Sequence, residues 1–194
     1  RTRHMAWHDQ LTGLPNRFLF DDRLGATLSL AGRHGTPVAI LFVDLDRFKL
    51  INDTLGHSIG DGVLRLVSAR LASCLRGSDT LARRGGDEFI AMLPDTDQKG
   101  AALVAQKLVN ALRVPLDAGG NEVVVTASVG IAMFPDNGSD RETLLKAADL
   151  AMYAAKEMGR DNHQLFSAVL KEDVERRVSM ERGLRTAILR SHLT

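Results

Sequence analysis

The sequence TLARRGGDEFIAML, at residues 80–93, holds two strand-like runs on either side of Gly-Gly-Asp at 85–87. Adjacent glycines between such runs are typical of a β-hairpin, because a tight turn needs positive φ angles that glycine adopts without strain. Upstream, PVAILFVD at residues 37–44 is a continuous apolar run rich in β-branched residues, which is typical of a strand buried on both faces. Together these features predict a sheet that contains an antiparallel hairpin.

Helical patterns alternate with these strands along the chain. Apolar spacing and capping residues predict helices over residues 18–31, 46–55, 61–75, 99–114, 141–158 and 168–191. Further strands are predicted over 122–134 and 163–167, with turns over 9–17 and 56–60, and residues 1–7 could continue an upstream helix. The alternation predicts an α/β fold in which helices cover a mixed central β-sheet that carries the hairpin.

Length and composition suit one α/β domain with an appendage, since the chain has 194 residues, 44% of them hydrophobic and 25% charged. A net charge of +1 without a block of Lys or Arg argues against a nucleic-acid surface. Cys74 is the single cysteine, which excludes an intrachain disulfide and a thiolate metal cage. No apolar run approaches about 18 residues, so we expect no membrane span here and a cytoplasmic location, although a longer parent protein could be membrane-anchored.

The first chemical feature is Asp44, which ends the buried strand just before a predicted helix. This position brings a carboxylate beside the free backbone N–H groups of a helix start, which suit phosphate oxygens. A carboxylate repels phosphate unless a divalent cation lies between them, and Mg²⁺ prefers carboxylates combined with substrate phosphates. An ordinary helix cap is the alternative for this residue taken alone.

The second feature is the pair Asp87 and Glu88 at the hairpin. The preceding glycines let a ligand approach closely, and adjacent residues of a strand point to opposite faces. One carboxylate could therefore bind a metal while the other has a different role. A solvated turn is the alternative, and the presence of Asp44, Asn52 and Asp61 in the same short chain argues against it.

The chain resembles the GGDEF domain, the bacterial diguanylate cyclase family, over roughly residues 6–166. The motifs that carry the resemblance are DQLTGLPNR at 9–17, FVDLDRFKLINDTLGHSIGD at 42–61, RRGGDEF at 83–89, TASVGIAMFP at 126–135 and ADLAMYAAKEMGRDN at 148–162. The resemblance implies a palm-like nucleotidyl-cyclase fold. It also implies that GTP is the substrate and cyclic di-GMP the product.

The resemblance further implies a metal site. Asp44 and the backbone carbonyl of Leu45 would bind Mg²⁺ (or Mn²⁺), as would Asp87, which in the family is held to help activate the ribose 3′-hydroxyl. Glu88 is required alongside Asp87 and could take part in a second metal site. Asp87 and Glu88 are therefore the expected catalytic residues.

Substrate contacts follow from the same resemblance. Asn52 and Asp61 would read the guanine edge, since a carboxylate accepts hydrogen bonds from the ring N–H and amino groups. His57, which lies between them in the sequence, is a weaker candidate and could instead be a packing histidine at a helix end.

The phosphates have their own expected partners. Backbone amides around Arg47, Phe48 and Lys49 would face the β- and γ-phosphates. Lys156 and Arg160 match the family's KxxGR pattern and would supply positive charge, although their i,i+4 spacing also suits a solvated basic pair.

The family mechanism implies a homodimer, because each domain holds one GTP and two hairpins must face each other. Arg76 and Asp79, nine residues before the hairpin, match the family's RxxD product-inhibition site. There an Arg forks onto guanine or phosphate and an Asp accepts from the base. A chance RxxD is common, so the spacing to Gly85 is what supports this assignment.

The predicted domain boundary lies between residues 166 and 167. Residues 175–189 resemble the linker helix that leads into an EAL phosphodiesterase domain, so residues 167–194 are interpreted as a linker helix to a following EAL-type domain, with a solvated helix as the alternative. Two other functions remain open. The chain could be a GTP-binding regulatory module of an attached phosphodiesterase, or a scaffold that binds cyclic di-GMP through Arg76 and Asp79.

Overall fold

The computed structural model describes residues 7–191, with side chains described through residue 180. In chain order the elements are α1 (Arg17–His34), β1 (Val38–Leu45), α2 (Phe48–Leu55), α3 (His57–Ser73), β2 (Thr80–Gly85), β3 (Glu88–Pro94), α4 (Gln98–Leu112), β4 (Leu116–Ala118), β5 (Asn121–Val123), β6 (Ala127–Phe134), α5 (Arg141–Glu157), β7 (His163–Leu165) and α6 (Ala168–Ser191). The helix suggested for residues 1–7 falls, except for its last residue, outside the described residues.

Five strands form the central sheet in the order β2-β3-β1-β6-β7. β1 lies in the middle, antiparallel to both β3 and β6, and all eight of its residues are buried, as its continuous apolar sequence predicts. β7 joins the edge beside β6 in parallel orientation. The sheet is therefore mixed, which confirms the predicted fold class.

Helices cover both faces of this sheet. On one face, α3 and α4 pack their apolar sides against alternate residues of β1, β3 and β6. On the other face, α1 and α5 cover the remaining alternate positions, with Phe20, Leu24 and Leu144 among the buried side chains. Alternation along each strand thus divides the core into two layers. Asp44 and Glu88 belong to the α1–α5 face, because their neighbours Val43, Leu45 and Phe89 face α3 and α4.

Two predicted boundaries are wrong. The turn expected over residues 56–60 is confined to Gly56 (φ 86°), and α3 begins at His57. The single strand expected over 122–134 is two strands. β5 pairs with β4 in a separate hairpin, while β6 joins the main sheet. No helix in the part of the chain that the structure describes is long and apolar enough to cross a membrane.

Candidate active site

Two carboxylates face each other across neighbouring strands at one end of the sheet. Asp44, near the end of β1, is the direct antiparallel partner of Glu88, which begins β3. Directly opposite residues project from the same face, and like charges in such a pair are destabilising. The side chains are buried or half-buried, which strengthens the repulsion. The pair is therefore unfavourable for the isolated fold and well suited to a cation.

Both carboxyl groups are shifted toward protonation. Burial raises the pKa of Asp44 above its ordinary value, and the ammonium of Lys156 only partly opposes this effect. Burial also raises the pKa of Glu88, and the nearby charge of Asp44 adds to the increase while Arg84 opposes it. A bound cation would reverse these shifts, because it favours the charged form of each carboxylate.

A magnesium ion fits this arrangement better than a metal that needs a full set of protein ligands. Among the described residues, no group of three or more His, Cys, Asp or Glu side chains could hold a metal ion. Mg²⁺ commonly uses one or two carboxylates and completes its shell with water and substrate phosphates. The strand-end carboxylates of Asp44 and Glu88 meet that requirement. The backbone carbonyl of Leu45 and the hairpin residue Asp87 lie next to them in the sequence.

The hairpin turn is fixed by contacts to its backbone and side chains. Gly85 and Gly86 both have positive φ, at 142° and 54°, which explains the two glycines of the motif. The backbone N–H of Leu45 donates to the carbonyl of Asp87 at 3.2 Å, so the turn is joined to the end of β1. Asp87 therefore lies one hydrogen bond from the proposed metal-binding strand end.

Arg83 connects the hairpin to the N-terminal turn. Its guanidinium donates to the carbonyl of Gly86 from Nε at 3.0 Å and from Nη2 at 2.7 Å. The Nη1 atom lies 3.0 and 3.1 Å from the two carboxylate oxygens of Asp9. The backbone N–H of Arg83 also donates to the carbonyl of Pro15. Residues 9–17 were predicted as a turn and as a family motif, but this supporting contact to the hairpin was not predicted.

Lys156 lies inside the carboxylate site, because its Nζ is 2.9 Å from Oδ1 of Asp44. Its side chain is 27% exposed, and it extends from the last turn of α5 toward the end of β1. The protein thus supplies one cation of its own to the carboxylate pair.

Arg47 and Arg160 line a common cavity of about 300 Å³ beside the strand ends. Arg47 precedes α2 with a left-handed backbone (φ 56°), and Phe48 and Lys49 form the first turn of the helix. The first N–H groups of a helix have no partner within it, so they can donate to an anion. The predicted phosphate-contacting residues Arg47 and Arg160 therefore share one cavity.

The predicted guanine readers lie on two packed helices. Asn52 is in the last turns of α2, while His57 and Asp61 are in the first turns of α3. A Cβ atom added to Gly60 would come 1.8 Å from Oδ1 of Asn52, so the amide side chain packs directly over this glycine. His57 and Asp61 are exposed. Both side chains are therefore accessible from solvent.

Arg76 and Asp79 form a tight turn away from the carboxylate pair. Asp79 accepts from the backbone N–H of Arg76 at 2.8 Å, and the N–H of Asp79 donates back to the carbonyl of Arg76 at 3.0 Å. The Arg76 side chain is 59% exposed and donates to Thr96, whereas that of Asp79 is 1% exposed. Asp79 thus shapes the turn, and Arg76 is the side chain presented to solvent.

Asp46 is a site residue to which sequence reasoning gave no role. It is buried, and its carboxylate accepts from the hydroxyls of Thr126 and Ser128 at 2.7 and 2.6 Å. It also accepts from the backbone N–H of Asp161 at 3.0 Å. A second acidic residue just beyond the end of β1, two positions after Asp44, was an available signal for a role at this strand end.

The fold and these strand-end groups together define a nucleotidyl-cyclase-like α/β domain. Residues 6–162 match the family described as diguanylate cyclase, GGDEF domain. The chain is 40% identical over 189 residues to the bifunctional diguanylate cyclase/cyclic di-GMP phosphodiesterase MucR of Pseudomonas aeruginosa, covering 97% of this chain and 28% of MucR. The chain belongs to the GGDEF domain family.

Solved structures give the same result. The GGDEF domain of TpbB from Pseudomonas aeruginosa is similar with a TM-score of 0.84 and 39% identity, covering 87% of this chain and 99% of that one. The coiled coil and GGDEF domain of DgcB from Caulobacter crescentus, in complex with c-di-GMP, gives a TM-score of 0.77 at 30% identity, covering 84% of this chain and 87% of that one. The chain thus spans about a quarter of the length of MucR but nearly all of the TpbB domain.

Proposed function

We propose that this domain is a diguanylate cyclase that condenses two GTP molecules into cyclic di-GMP and two pyrophosphates. The proposal rests on the facing pair of Asp44 and Glu88. Their like charges repel each other and destabilise the fold unless a cation binds between them. Family membership supplies the substrate class. The intact Gly-Gly-Asp-Glu-Phe hairpin supports catalysis over simple binding.

Asp44, Glu88, Asp87 and the carbonyl of Leu45 would hold Mg²⁺. When bound, the metal would neutralise phosphate charge and assist departure of pyrophosphate. Asp87 would accept the proton of the ribose 3′-hydroxyl as that oxygen forms a bond to the α-phosphorus of the second GTP. The bond from this phosphorus to the pyrophosphate oxygen then breaks.

Positive groups of the chain would take the leaving pyrophosphate. Lys156, whose Nζ pairs with Asp44, would turn to a phosphate oxygen once the charge of Asp44 is balanced by the metal. Arg160 and the backbone N–H groups around Arg47–Lys49 would bind the β- and γ-phosphates from their shared cavity. Asn52 and Asp61 would select guanine, with His57 at the rim of the same cleft.

Turnover would require two domains. Each holds one GTP, and each 3′-hydroxyl must lie in line with the α-phosphate of the partner's nucleotide. A homodimer with opposed hairpins provides that geometry. A monomer with every ligand in place would bind GTP without closing the cyclic product.

Product would regulate the enzyme at Arg76 and Asp79. The exposed guanidinium of Arg76 would contact guanine or phosphate of cyclic di-GMP, and Asp79 would hold the turn that presents it. Arg76→Ala should therefore relieve inhibition without lowering the initial rate. Equal product affinity of this variant and the wild type, measured by calorimetry, would remove the assignment.

A second candidate function is a GTP-binding module that controls an attached phosphodiesterase domain. The similarity to MucR, whose name includes both activities, favours keeping it. In that architecture α6, within residues 167–194, would be the linker helix toward an EAL-type domain. Against a purely regulatory role, every signature position of the hairpin is intact in the sequence.

One assay separates the two functions. The purified chain is incubated with GTP and Mg²⁺ at high protein concentration, and cyclic di-GMP is separated by chromatography. Product formation that is lost in Asp87→Asn, with unchanged circular dichroism, supports the cyclase. GTP binding by calorimetry without product would support the regulatory module instead.

A further inference from the structure

The loop that presents Arg160 has an unusual backbone. Arg160 and Asp161 follow each other with φ angles of 64° and 52°, both in the left-handed region that L-residues with side chains rarely adopt. Such strain persists only where surrounding contacts hold the conformation, and it is concentrated at functional sites. The contacts that hold this loop therefore bear on what Arg160 does.

Arg113 provides the most extensive of these contacts. Its Nε lies 3.0 Å from both carboxylate oxygens of Asp161, and its Nη2 donates to the Asp161 carbonyl at 3.2 Å. Arg113 directly follows α4, and it lies 48 positions before Asp161 in the sequence. One side chain thus fixes both the side chain and the main chain of a strained residue.

Asp46 holds the same residue from the core side. The backbone N–H of Asp161 donates to Asp46 at 3.0 Å, and Asp46 is itself fixed by Thr126 and Ser128 of the β6 segment. Asp161 is therefore held at its carboxylate and carbonyl by Arg113 and at its backbone N–H by Asp46. We name the three residues Arg113, Asp161 and Asp46 the brace.

Arg160 itself is held only through its backbone. Its N–H donates to the carbonyl of Ala155, and its own carbonyl accepts from Nδ2 of Asn162 at 2.8 Å. The Arg160 residue is exposed, and its guanidinium has no ion pair among the described residues. The loop backbone thus sets the direction of the Arg160 side chain, and the charge of its guanidinium remains available to bind a ligand.

The cavity beside the brace indicates which ligand. Asp46 and Asp161 line it together with Arg47 and Arg160, and its volume of about 300 Å³ suits a diphosphate-sized group. The two acidic residues already accept hydrogen bonds or pair with Arg113, so they are engaged with the protein. The two arginines supply the positive charge.

We propose that Arg113 is a positioning residue that acts through Asp161 to direct the Arg160 guanidinium at the β- and γ-phosphates of the bound nucleotide. This inference rests on the proposed function, because it assumes a nucleoside triphosphate in the site. The Arg113–Asp161 pair is half-exposed, at 48% and 35%, and such pairs add little to stability. Its effect should therefore be seen in ligand binding rather than in folding.

The test compares GTP with GMP, which lacks the β- and γ-phosphates, by calorimetry in Mg²⁺ buffer. Arg113→Met should weaken GTP binding about tenfold, the usual cost of losing hydrogen bonds to a charged group, and leave GMP binding unchanged. Arg113→Lys should recover part of the loss, since a lysine restores the charge but not the fork. The matched control is Lys146→Met, which removes the exposed ion pair between Lys146 and Glu142 on α5. This variant should bind both nucleotides normally.

A double-mutant cycle with Arg160→Met separates the possible failures. If Arg113 acts through Arg160, then Arg113→Met should have no further effect on GTP affinity in the Arg160→Met background. Additive losses would overturn the brace as a positioning device. Normal GTP affinity in Arg113→Met alongside weak affinity in Arg160→Met would also overturn it and leave the proposed function standing. Normal affinity in Arg160→Met would overturn the phosphate role of Arg160 and the brace with it.

Discussion

The carboxylate of Asp9 accepts hydrogen bonds from Thr12 and Arg83. Burial alone would raise its pKa, but hydrogen bonds from Thr12 and Arg83 together hold the pKa of Asp9 below its ordinary value of 3.8. A carboxyl whose pKa is lowered on folding contributes stability above the unfolded value, and that contribution is lost as the pH falls through the folded value. The Asp9–Arg83 pair should therefore stabilise the fold at neutral pH and not in acid.

Asp9→Asn should accordingly lower the free energy of unfolding at pH 7 by about 2 kcal/mol, the size expected for hydrogen bonds to a charged group. The difference from the wild type should be smaller at pH 3, which lies below the ordinary value of 3.8, because the contribution of Asp9 is lost as the pH falls toward its lowered pKa. Urea unfolding at pH 7 and at pH 3 measures this difference in the free energy of unfolding. Asp22→Asn, at an exposed position on α1, is the control. An equal difference at pH 7 and pH 3 would show that the charge of Asp9 is not what matters.

Substitution of Glu88 should raise the stability of the fold while it abolishes activity. Because it faces Asp44 directly, Glu88→Gln removes a like-charge contact and should stabilise the metal-free protein by about 0.5 kcal/mol at pH 7. The same change should abolish synthesis of cyclic di-GMP. Denaturant unfolding with and without Mg²⁺ gives a further check, since the metal should raise the wild type's stability more than that of the variant. A variant less stable than the wild type without metal would contradict the repulsion argument.

At the scale of elements, glycine is the residue on which sequence reasoning both succeeded and failed. Gly85 and Gly86 correctly predicted the β2–β3 hairpin. The equivalent pair Gly119 and Gly120, both with positive φ, was overlooked, so β4 was not predicted and β5 was merged with β6 into one long strand. Strands of three residues are too short for a two-residue alternation to reveal them.

Gly60 misled the prediction of α3 for a different reason. A glycine close behind Gly56 favoured a turn, yet Gly60 lies inside a regular helix and is buried. What requires glycine there is the side chain of Asn52 on the neighbouring helix, and that contact depends on tertiary packing. A propensity argument has no access to such a contact.

Gly60→Ala provides an element-scale prediction. Alanine normally stabilises a helix by about 1 kcal/mol relative to glycine. Here its Cβ would come 1.8 Å from Oδ1 of Asn52, so the amide must move. We expect the variant to weaken GTP binding more than ATP binding, as Asn52→Ala should. Gly25→Ala in α1, whose added Cβ meets nothing within 4 Å, should stabilise the protein and leave both affinities unchanged. Equal losses for the two nucleotides in Gly60→Ala would exclude Asn52 as a guanine reader.

At the scale of the whole molecule, the sheet gathers distant motifs at one end. The end of β1 brings Asp44, the start of β3 brings Glu88, and the end of α5 brings Lys156. Family motifs in the sequence identified these residues. The supporting contacts were not predictable, because Asp46 meets Asp161 across 115 positions and Arg83 meets Asp9 across 74. Such pairs follow from topology and packing, which a local pattern does not encode.

The last prediction follows from the need for two domains. If each domain carries one GTP and the hairpins must face each other, the synthesis rate at low protein concentration should rise with the square of that concentration. Asp61→Ala should retain the dimer surface but hold GTP weakly if Asp61, an exposed residue in the first turns of α3, reads guanine as proposed. Excess Asp61→Ala added to a fixed amount of wild type should therefore lower the yield of cyclic di-GMP per wild-type molecule. An equal excess of Gly25→Ala, which is expected to be fully active, should raise the total yield. A rate linear in protein concentration and unaffected by excess Asp61→Ala would mean that a single domain completes the reaction.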